Sequence, residues 1–112
     1  MGYMIEGVEQ EADEEGYLLE ANYSDEAPPL IAQAEGLTLT PEHWEVIRFM
    51  RERYREDGHT PNFRNMLKGF ADSVRPGTDS KYLYELFPGG GGPAKQAAKI
   101  AGLPKPYGKG GY

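Results

Sequence analysis

The sequence contains no cysteine, and this absence excludes more chemistry than any other feature of its composition. Without a thiol there is no disulfide, no thiolate nucleophile and no thiolate metal ligand. The absence also weighs against secretion, because small secreted domains are usually cross-linked by disulfides. No apolar run approaches the ~18 residues of a membrane-spanning helix. The acidic start of the chain is also unlike a signal or transit peptide, so we expect a cytoplasmic protein.

Basic residues are missing from the first part of the chain. Residues 1–47 contain twelve acidic side chains and no Lys or Arg, whereas twelve bases and six acids follow from Arg48 onward. The two parts therefore carry formal charges of −12 and +6. A basic C-terminal part predicts either an acidic partner or docking of this part on the acidic body. An unevenly charged, solvated surface is the simpler alternative.

Reactive side chains are also scarce. The chain has two histidines, His43 and His59, and neither falls in the spacing of a zinc site. His43 lies on an apolar stripe, where a hydrogen-bonded residue at the edge of the core is expected. The glycines at 89–92 lack the GK[ST] ending of a phosphate-binding loop. We therefore expect no metal, no cofactor and no enzymatic activity.

The pattern of apolar and turn-forming residues predicts an α+β domain that is mostly helical. Residues 3–19 are expected to form a β-hairpin with its turn at Asp13–Gly16. Residues 24–102 are expected to form an orthogonal bundle of about five helices. The expected residues at the helix starts are Ser24 or Asp25, Thr40, Thr60, Thr78 or Asp79, and Pro93. Residues 1–103 then form one domain, and residues 104–112 form a C-terminal arm that Pro104 and Pro106 stiffen.

The two helices predicted within residues 41–73 are joined by a short turn at Gly58, as in a helix-turn-helix pair. Asn62, Arg64, Asn65 and Lys68 are placed at the start and on the polar side of the second helix. Arg and Asn are the side chains that bind base edges, so DNA binding through these residues is one hypothesis. The alternative is the solvated face of an ordinary helical bundle.

Three arginines recur along the first helix of this pair. Glu45 precedes Arg48 and Glu52 precedes Arg55 by three residues, a spacing that favours ion pairs on an exposed helix face. We therefore interpret Arg48, Arg51 and Arg55 as surface residues.

Four segments carry a resemblance to a known family: EGYLLE, LTPEHWEVIRFMRERY, KYLYELFP and GPAKQAAKIAGLPKP. On these segments the sequence resembles the DsrC/TusE sulfur-carrier proteins, which include the gamma chain of dissimilatory sulfite reductase. The resemblance implies a β-hairpin on an orthogonal helical bundle with a C-terminal arm. It also implies a place in sulfur metabolism or sulfur relay.

The resemblance further implies two positions for sulfur-carrying cysteines, and both are substituted in this chain. The upstream cysteine of the DsrC proteins matches Ala98, and the terminal cysteine that TusE proteins retain matches Lys109. Because a persulfide needs a thiolate, neither position can carry sulfur here. We therefore interpret the chain as a non-catalytic member that acts by protein–protein interaction or regulation.

The partner predicted for this role is a sulfite-reductase-like or sulfur-relay protein complex. The residues expected to bind it are basic or rigid and lie in or beside the arm: Lys95, Lys99, Pro104, Lys105, Pro106, Tyr107 and Lys109. A DNA-binding transcriptional regulator that uses the 41–73 helix pair is the alternative.

Overall fold

The structure is a computed structural model, and it describes residues 2–106. Strands β1 (Gly2–Ile5) and β2 (Val8–Glu11) form an antiparallel hairpin. Five helices follow: α1 (Ala27–Ala34), α2 (Pro41–Asp57), α3 (Phe63–Ser73), α4 (Ser80–Leu86) and α5 (Pro93–Ile100). The predicted hairpin on a five-helix bundle is confirmed. None of the helices in this part of the chain is both long and apolar enough to cross a membrane.

The hairpin turns earlier than the sequence pattern predicted. Its tight turn is Glu6–Gly7, where both residues have left-handed backbone angles (φ 53° and 80°), as a type I′ turn requires. The segment Asp13–Gly16 forms a second loop, closed by an isolated bridge between Ala12 and Leu18. The placement of the hairpin turn at 13–16 was therefore wrong.

Side-chain caps fix the starts of three helices. Thr40 caps α2, and Asp79 caps α4 by accepting a hydrogen bond from the Tyr82 backbone N–H at 3.0 Å. Thr40 was the predicted cap of α2, and Asp79 was one of the two caps predicted for α4. The predicted cap of α3, Thr60, is wrong, because that helix begins at Phe63 and Asn62 caps it.

Helix α1 also begins differently from the prediction. Its N-cap position is Glu26, which makes no side-chain capping bond. Ser24 instead accepts a hydrogen bond from the Glu26 backbone N–H at 3.1 Å, one turn before the helix. Pro28 and Pro29 lie in the first turn as predicted.

Helix α5 lies in the middle of the bundle, in contact with α1, α2, α3 and α4. Its buried face consists largely of small side chains, and Ala94, Ala97 and Ala98 are each fully buried. Small side chains let neighbouring helices approach closely, so the last helix of the chain holds the core together. The segment that leaves α5 consequently starts from the centre of the domain.

The predicted apolar stripe of α3 is largely confirmed. Met66 and Phe70 are fully buried, and Phe70 packs edge-on against Phe49 with ring centroids 5.6 Å apart. Phe63 is only half-buried, since it lies at the rim of the core beside the exposed Tyr84.

Candidate functional site

The chain leaves α5 along a path that is tightly fixed for several residues. Gly102 has a left-handed φ of 84°, and a Cβ there would lie 2.5 Å from the Asn22 carbonyl oxygen, so only glycine fits. The Asn22 backbone N–H donates to the Gly102 carbonyl at 2.8 Å. Leu103 is fully buried, and its N–H donates to the Ala98 carbonyl at 3.1 Å. The following segment, Leu103–Pro106, is called the C-terminal segment below.

Arg51 holds the start of this path. Its Nε donates to the Ala101 carbonyl at 2.9 Å, and its two terminal nitrogens donate to the Ser24 carbonyl and to Asp25 Oδ1, each at 2.8 Å. The side chain is 8% exposed. The interpretation of Arg51 as a surface residue was therefore wrong. The sequence does contain a signal for the burial of Arg51, because this residue lies one helical turn after the buried Ile47.

The predictions for the other arginines of this helix are confirmed only in part. Arg55 and Glu52 form the predicted ion pair, at 3.7 Å. Glu45 pairs instead with Arg75 at 3.0 Å, and Arg48 lies over the ring of Trp44. The distant partner Arg75 could not be inferred from local spacing.

Ala98, which the resemblance predicted to match the upstream family cysteine, lies inside the domain. Its exposed fraction is 0%, and its carbonyl accepts a hydrogen bond from the Leu103 N–H at 3.1 Å. A side chain at this position meets no solvent in the described conformation. The position could therefore take part in chemistry only after the packing around it opened.

Lys99 and Lys95 connect α5 to the acidic N-terminal part. Lys99 Nζ lies 3.2 Å from Glu35 Oε2 and 5.0 Å from the ring centroid of Tyr17. The Tyr17 hydroxyl donates to the Lys95 carbonyl at 3.3 Å. Burial, followed by the negative charges of nearby carboxylates, raises the pKa of Tyr17 to about 12. Lys99 is thus an internal anchor, and its ammonium group is only partly accessible.

Lys105 reaches back to the loop that follows β2. Its Nζ lies 2.6 Å from Glu15 Oε1, and both side chains are about half exposed (49% and 55%). The hydrogen bond and the charge of Glu15 raise the pKa of Lys105. The basic segment therefore docks, at least in part, on its own acidic body. This is one of the two outcomes that the charge asymmetry predicted.

Pro104 and Pro106 also lie against the body. Pro106 is buried, and a cavity of about 60 Å³ separates this part of the C-terminal segment from Tyr54 and the 58–60 connection. The Thr60 hydroxyl is buried there without a hydrogen-bond partner among the described residues. The rest of the predicted arm, including Tyr107 and Lys109, lies outside the described residues.

The residues proposed for DNA recognition do not form one reading surface. The Asn62 side chain is engaged as the α3 cap, and it accepts from the Asn65 N–H at 2.9 Å. Arg64 is exposed. Asn65 and Lys68 line a groove of about 300 Å³ that also contains Asp57 and Asp72. Arg53 lines the same groove, so two bases and two acids balance there and the groove offers a phosphate backbone no excess of positive charge.

Neither histidine offers a reactive or metal-binding arrangement. His43 is buried, with Nδ1 accepting from the Thr40 N–H at 3.0 Å and Nε2 donating to the Leu86 carbonyl at 2.7 Å. This hydrogen-bonded position at the core edge was predicted. Within residues 2–106, no group of three or more His, Asp or Glu side chains could hold a metal ion.

The comparisons with known proteins agree with this geometry. The sequence profile of the DsrC-like protein family matches residues 4–109. Sulfurtransferase TusE of Escherichia coli (strain K12) is 50% identical over 105 residues, which cover 92% of this chain and 94% of the relative.

Solved structures share the fold as well. The NMR structure of Allochromatium vinosum DsrC has a TM-score of 0.86 at 40% identity, with 96% of each chain covered. The crystal structure of the oxidized gamma-subunit of the dissimilatory sulfite reductase (DsrC) from Archaeoglobus fulgidus has a TM-score of 0.78 at 35% identity, covering 94% of this chain and 96% of that one.

Proposed function

This chain belongs to the DsrC-like family, and we propose that it serves the sulfur chemistry of that family as a binding protein that carries no sulfur itself. The observation that carries the proposal is the absence of cysteine from all 112 residues. Sulfur relay through a persulfide requires a thiolate at each carrier. The chain retains the fold of the family but lacks the sulfur-accepting thiol, so its proposed role is to bind a partner protein.

The proposed partner is a sulfite-reductase-like or sulfur-relay protein complex, bound through the C-terminal arm in the cytoplasm. Lys105 and Lys109 supply the charge for this contact. The Lys105–Glu15 pair supports this role, because both groups are about half exposed and a carboxylate of a partner can replace Glu15. Lys99 contributes less, because its pair with Glu35 is largely buried (14% and 25% exposed). The prolines at 104 and 106 restrict the chain and so reduce the entropy lost on docking.

The absence of sulfur transfer is tested by mass spectrometry. The protein is incubated with polysulfide or with a persulfidated E. coli TusE, and its intact mass is then measured. We expect no stable adduct, whereas a gain of about 32 Da per chain would refute the thiolate argument. The Lys109→Cys variant serves as the positive control, because it restores a thiol at the position of the terminal family cysteine.

The binding role is tested by calorimetry against a purified sulfite-reductase-like or sulfur-relay partner. The full chain is compared with residues 1–106, since a shorter chain would lose the buried Pro106. The charge reversal Lys105→Glu/Lys109→Glu is compared with Lys68→Glu/Lys81→Glu, which changes the net charge equally at exposed lysines of α3 and α4. We expect the first variant and the truncation to weaken binding at least about tenfold and the second to change it less than about threefold.

Competition gives an independent measurement. E. coli TusE or another cysteine-bearing relative should displace this chain, because both present a KIAGLPKP-like segment to the same site. Equal affinity with and without residues 107–112 together with unchanged binding of the Lys105→Glu/Lys109→Glu variant, or no competition, would exclude the arm as the binding element.

DNA binding by the 41–73 helix pair has weaker support, because Asn62 is engaged as a cap and Asp57 and Asp72 border the groove. A shift of promoter fragments that survives about 150 mM salt and outcompetes random DNA would favour it. Binding seen only at lower salt would be non-specific attraction and would count against it.

A further inference from the structure

The most exposed large apolar side chains of the described residues lie in the hairpin or in the segment that follows it. Met4, Leu19 and Val8 are the three most exposed large apolar side chains within residues 2–106, at 61%, 58% and 57%. A hairpin that only meets water carries polar side chains on its outer face. Exposed apolar side chains gathered in one place are typical of a surface that binds another molecule.

The register of the hairpin places carboxylates around Met4 and Leu19, whereas Val8 pairs with Ile5 and lies on the opposite face. Met4 lies directly opposite Glu9, so their side chains share one face of the sheet. Glu11, two residues after Glu9, is on the same face. The Leu19 backbone N–H donates to the Glu11 carbonyl at 3.0 Å, which sets Leu19 beside them.

A shallow recess completes the arrangement. Glu9, Gln10, Glu11, Leu19 and Glu20 line a surface depression of about 300 Å³. We call Met4, Glu9, Glu11, Leu19 and Glu20 the outer hairpin face. No Lys or Arg of residues 2–106 forms an ion pair with its three glutamates. By contrast, Glu15, Glu35 and Glu45 are each paired with a base from the second part of the chain.

From this arrangement we infer that the outer hairpin face is a second docking surface, and that it binds a protein surface in which lysines and arginines surround an apolar recess. The carboxylates select this class of partner. Nucleic acids and anionic membranes carry negative charge and are repelled. A second copy would present the same acidic face and a net charge of −6, so pairing of two such faces is opposed as well.

The surface lies near the C-terminal segment but does not depend on it. Glu15, which pairs with Lys105, is in the loop between Glu11 and Leu19. A partner that receives the basic arm would therefore meet an acidic, apolar surface close to it. The inference goes beyond the proposed function, because the face would bind a basic partner even if the arm bound nothing.

The test uses a synthetic peptide of alternating lysine and leucine residues and a twin with glutamate in place of lysine. Each peptide is titrated into the full-length, ¹⁵N-labelled protein, and backbone amide shifts are recorded by NMR. We expect the basic peptide to shift amides of the hairpin and of residues 18–20, and to bind at least about tenfold more weakly when salt rises from about 50 to 300 mM. The acidic twin should not bind.

Two triple variants separate this face from net charge. Glu9→Lys/Glu11→Lys/Glu20→Lys should lower the affinity at least about tenfold, whereas Glu56→Lys/Asp72→Lys/Glu85→Lys should change it less than about threefold although the net charge changes equally. All six side chains are exposed. The neutral variant E9Q/E11Q/E20Q gives the same comparison with a smaller perturbation of the hairpin.

The apolar contribution is tested with Met4→Ser/Leu19→Ser, which should weaken binding several-fold while leaving its salt dependence unchanged. Equal losses in the two lysine variants, shifts centred outside the hairpin, or binding of the acidic twin would each overturn the inference. Failure of the arm truncation to affect partner binding would leave these outcomes unchanged, so the two proposals are tested separately.

Discussion

Replacing Arg51 by alanine tests the account of how the C-terminal segment is held. Its guanidinium donates to two backbone carbonyls and to Asp25. The variant leaves the Ala101 carbonyl without its donor inside the protein, at a cost of about 1–3 kcal/mol. It also removes two buried methylenes, at about 0.8 kcal/mol each. Asp25 adds little, because it is 77% exposed and regains water. Relief of guanidinium desolvation offsets part of the cost, so we expect a loss of about 2–4 kcal/mol in the free energy of unfolding.

Urea unfolding followed by circular dichroism measures this loss. Arg55→Ala is the matched control on the same helix, because its side chain is 54% exposed and its ion pair with Glu52 lies on the surface. We expect this control to lose no more than about 1 kcal/mol. A loss below about 1 kcal/mol for Arg51→Ala, or equal losses in the two variants, would refute the assignment of Arg51 as the residue that holds the end of α5.

Three further predictions concern the same region. Folding raises the pKa of Tyr17 from 10.0 to about 12, so its contribution to stability is complete below pH 10 and is lost as the pH rises through 12, by at most about 2–3 kcal/mol. Urea unfolding at pH 9 and pH 11.5 should show this loss of stability, and the Tyr17→Phe variant should lack the share of the loss that Tyr17 causes. Ala98→Cys introduces the only thiol of the chain, and it should react with a thiol reagent at least about 100-fold more slowly than the exposed Ser80→Cys; equal rates would mean that the C-terminal segment opens freely. Thr60→Val should raise the free energy of unfolding by about 1 kcal/mol, because it replaces by a methyl group a buried hydroxyl that has no partner within residues 2–106; a loss of that size would mean that the hydroxyl has a partner.

Local signals predicted the fold where the determining contacts are themselves local. Thr40 and Asp79 cap helices because their side chains reach backbone N–H groups only three residues away. The signal failed at Thr60, where two candidate caps stand two residues apart and Asn62 takes the position. It failed also in the hairpin, since Glu6 adopts a left-handed conformation that only the pairing of the flanking strands supports.

The candidate site was predicted less completely, because long-range pairs built it. The family segment predicted roles for Ala98 and the C-terminal segment, but no periodicity indicates that Lys105 contacts Glu15 or that Lys99 contacts Glu35. Total charge indicated that the two parts of the chain attract each other. Total charge could not assign the individual ion pairs, because the partners are 64 and 90 residues apart in the sequence. Many other pairings are possible at such separations, and only the packing of the core determines which ones form.

The central position of α5 has a consequence for folding during synthesis on the ribosome. The ribosome makes the first four helices before α5, the helix that contacts all of them. At about 5–20 residues per second, synthesis takes about 5–20 s to reach Leu103. Until then the core-facing apolar surface of the N-terminal part is exposed to solvent, and chaperones can bind this surface. Translation that stops before Leu103 should therefore yield a substrate for proteases rather than a folded body that lacks only its arm.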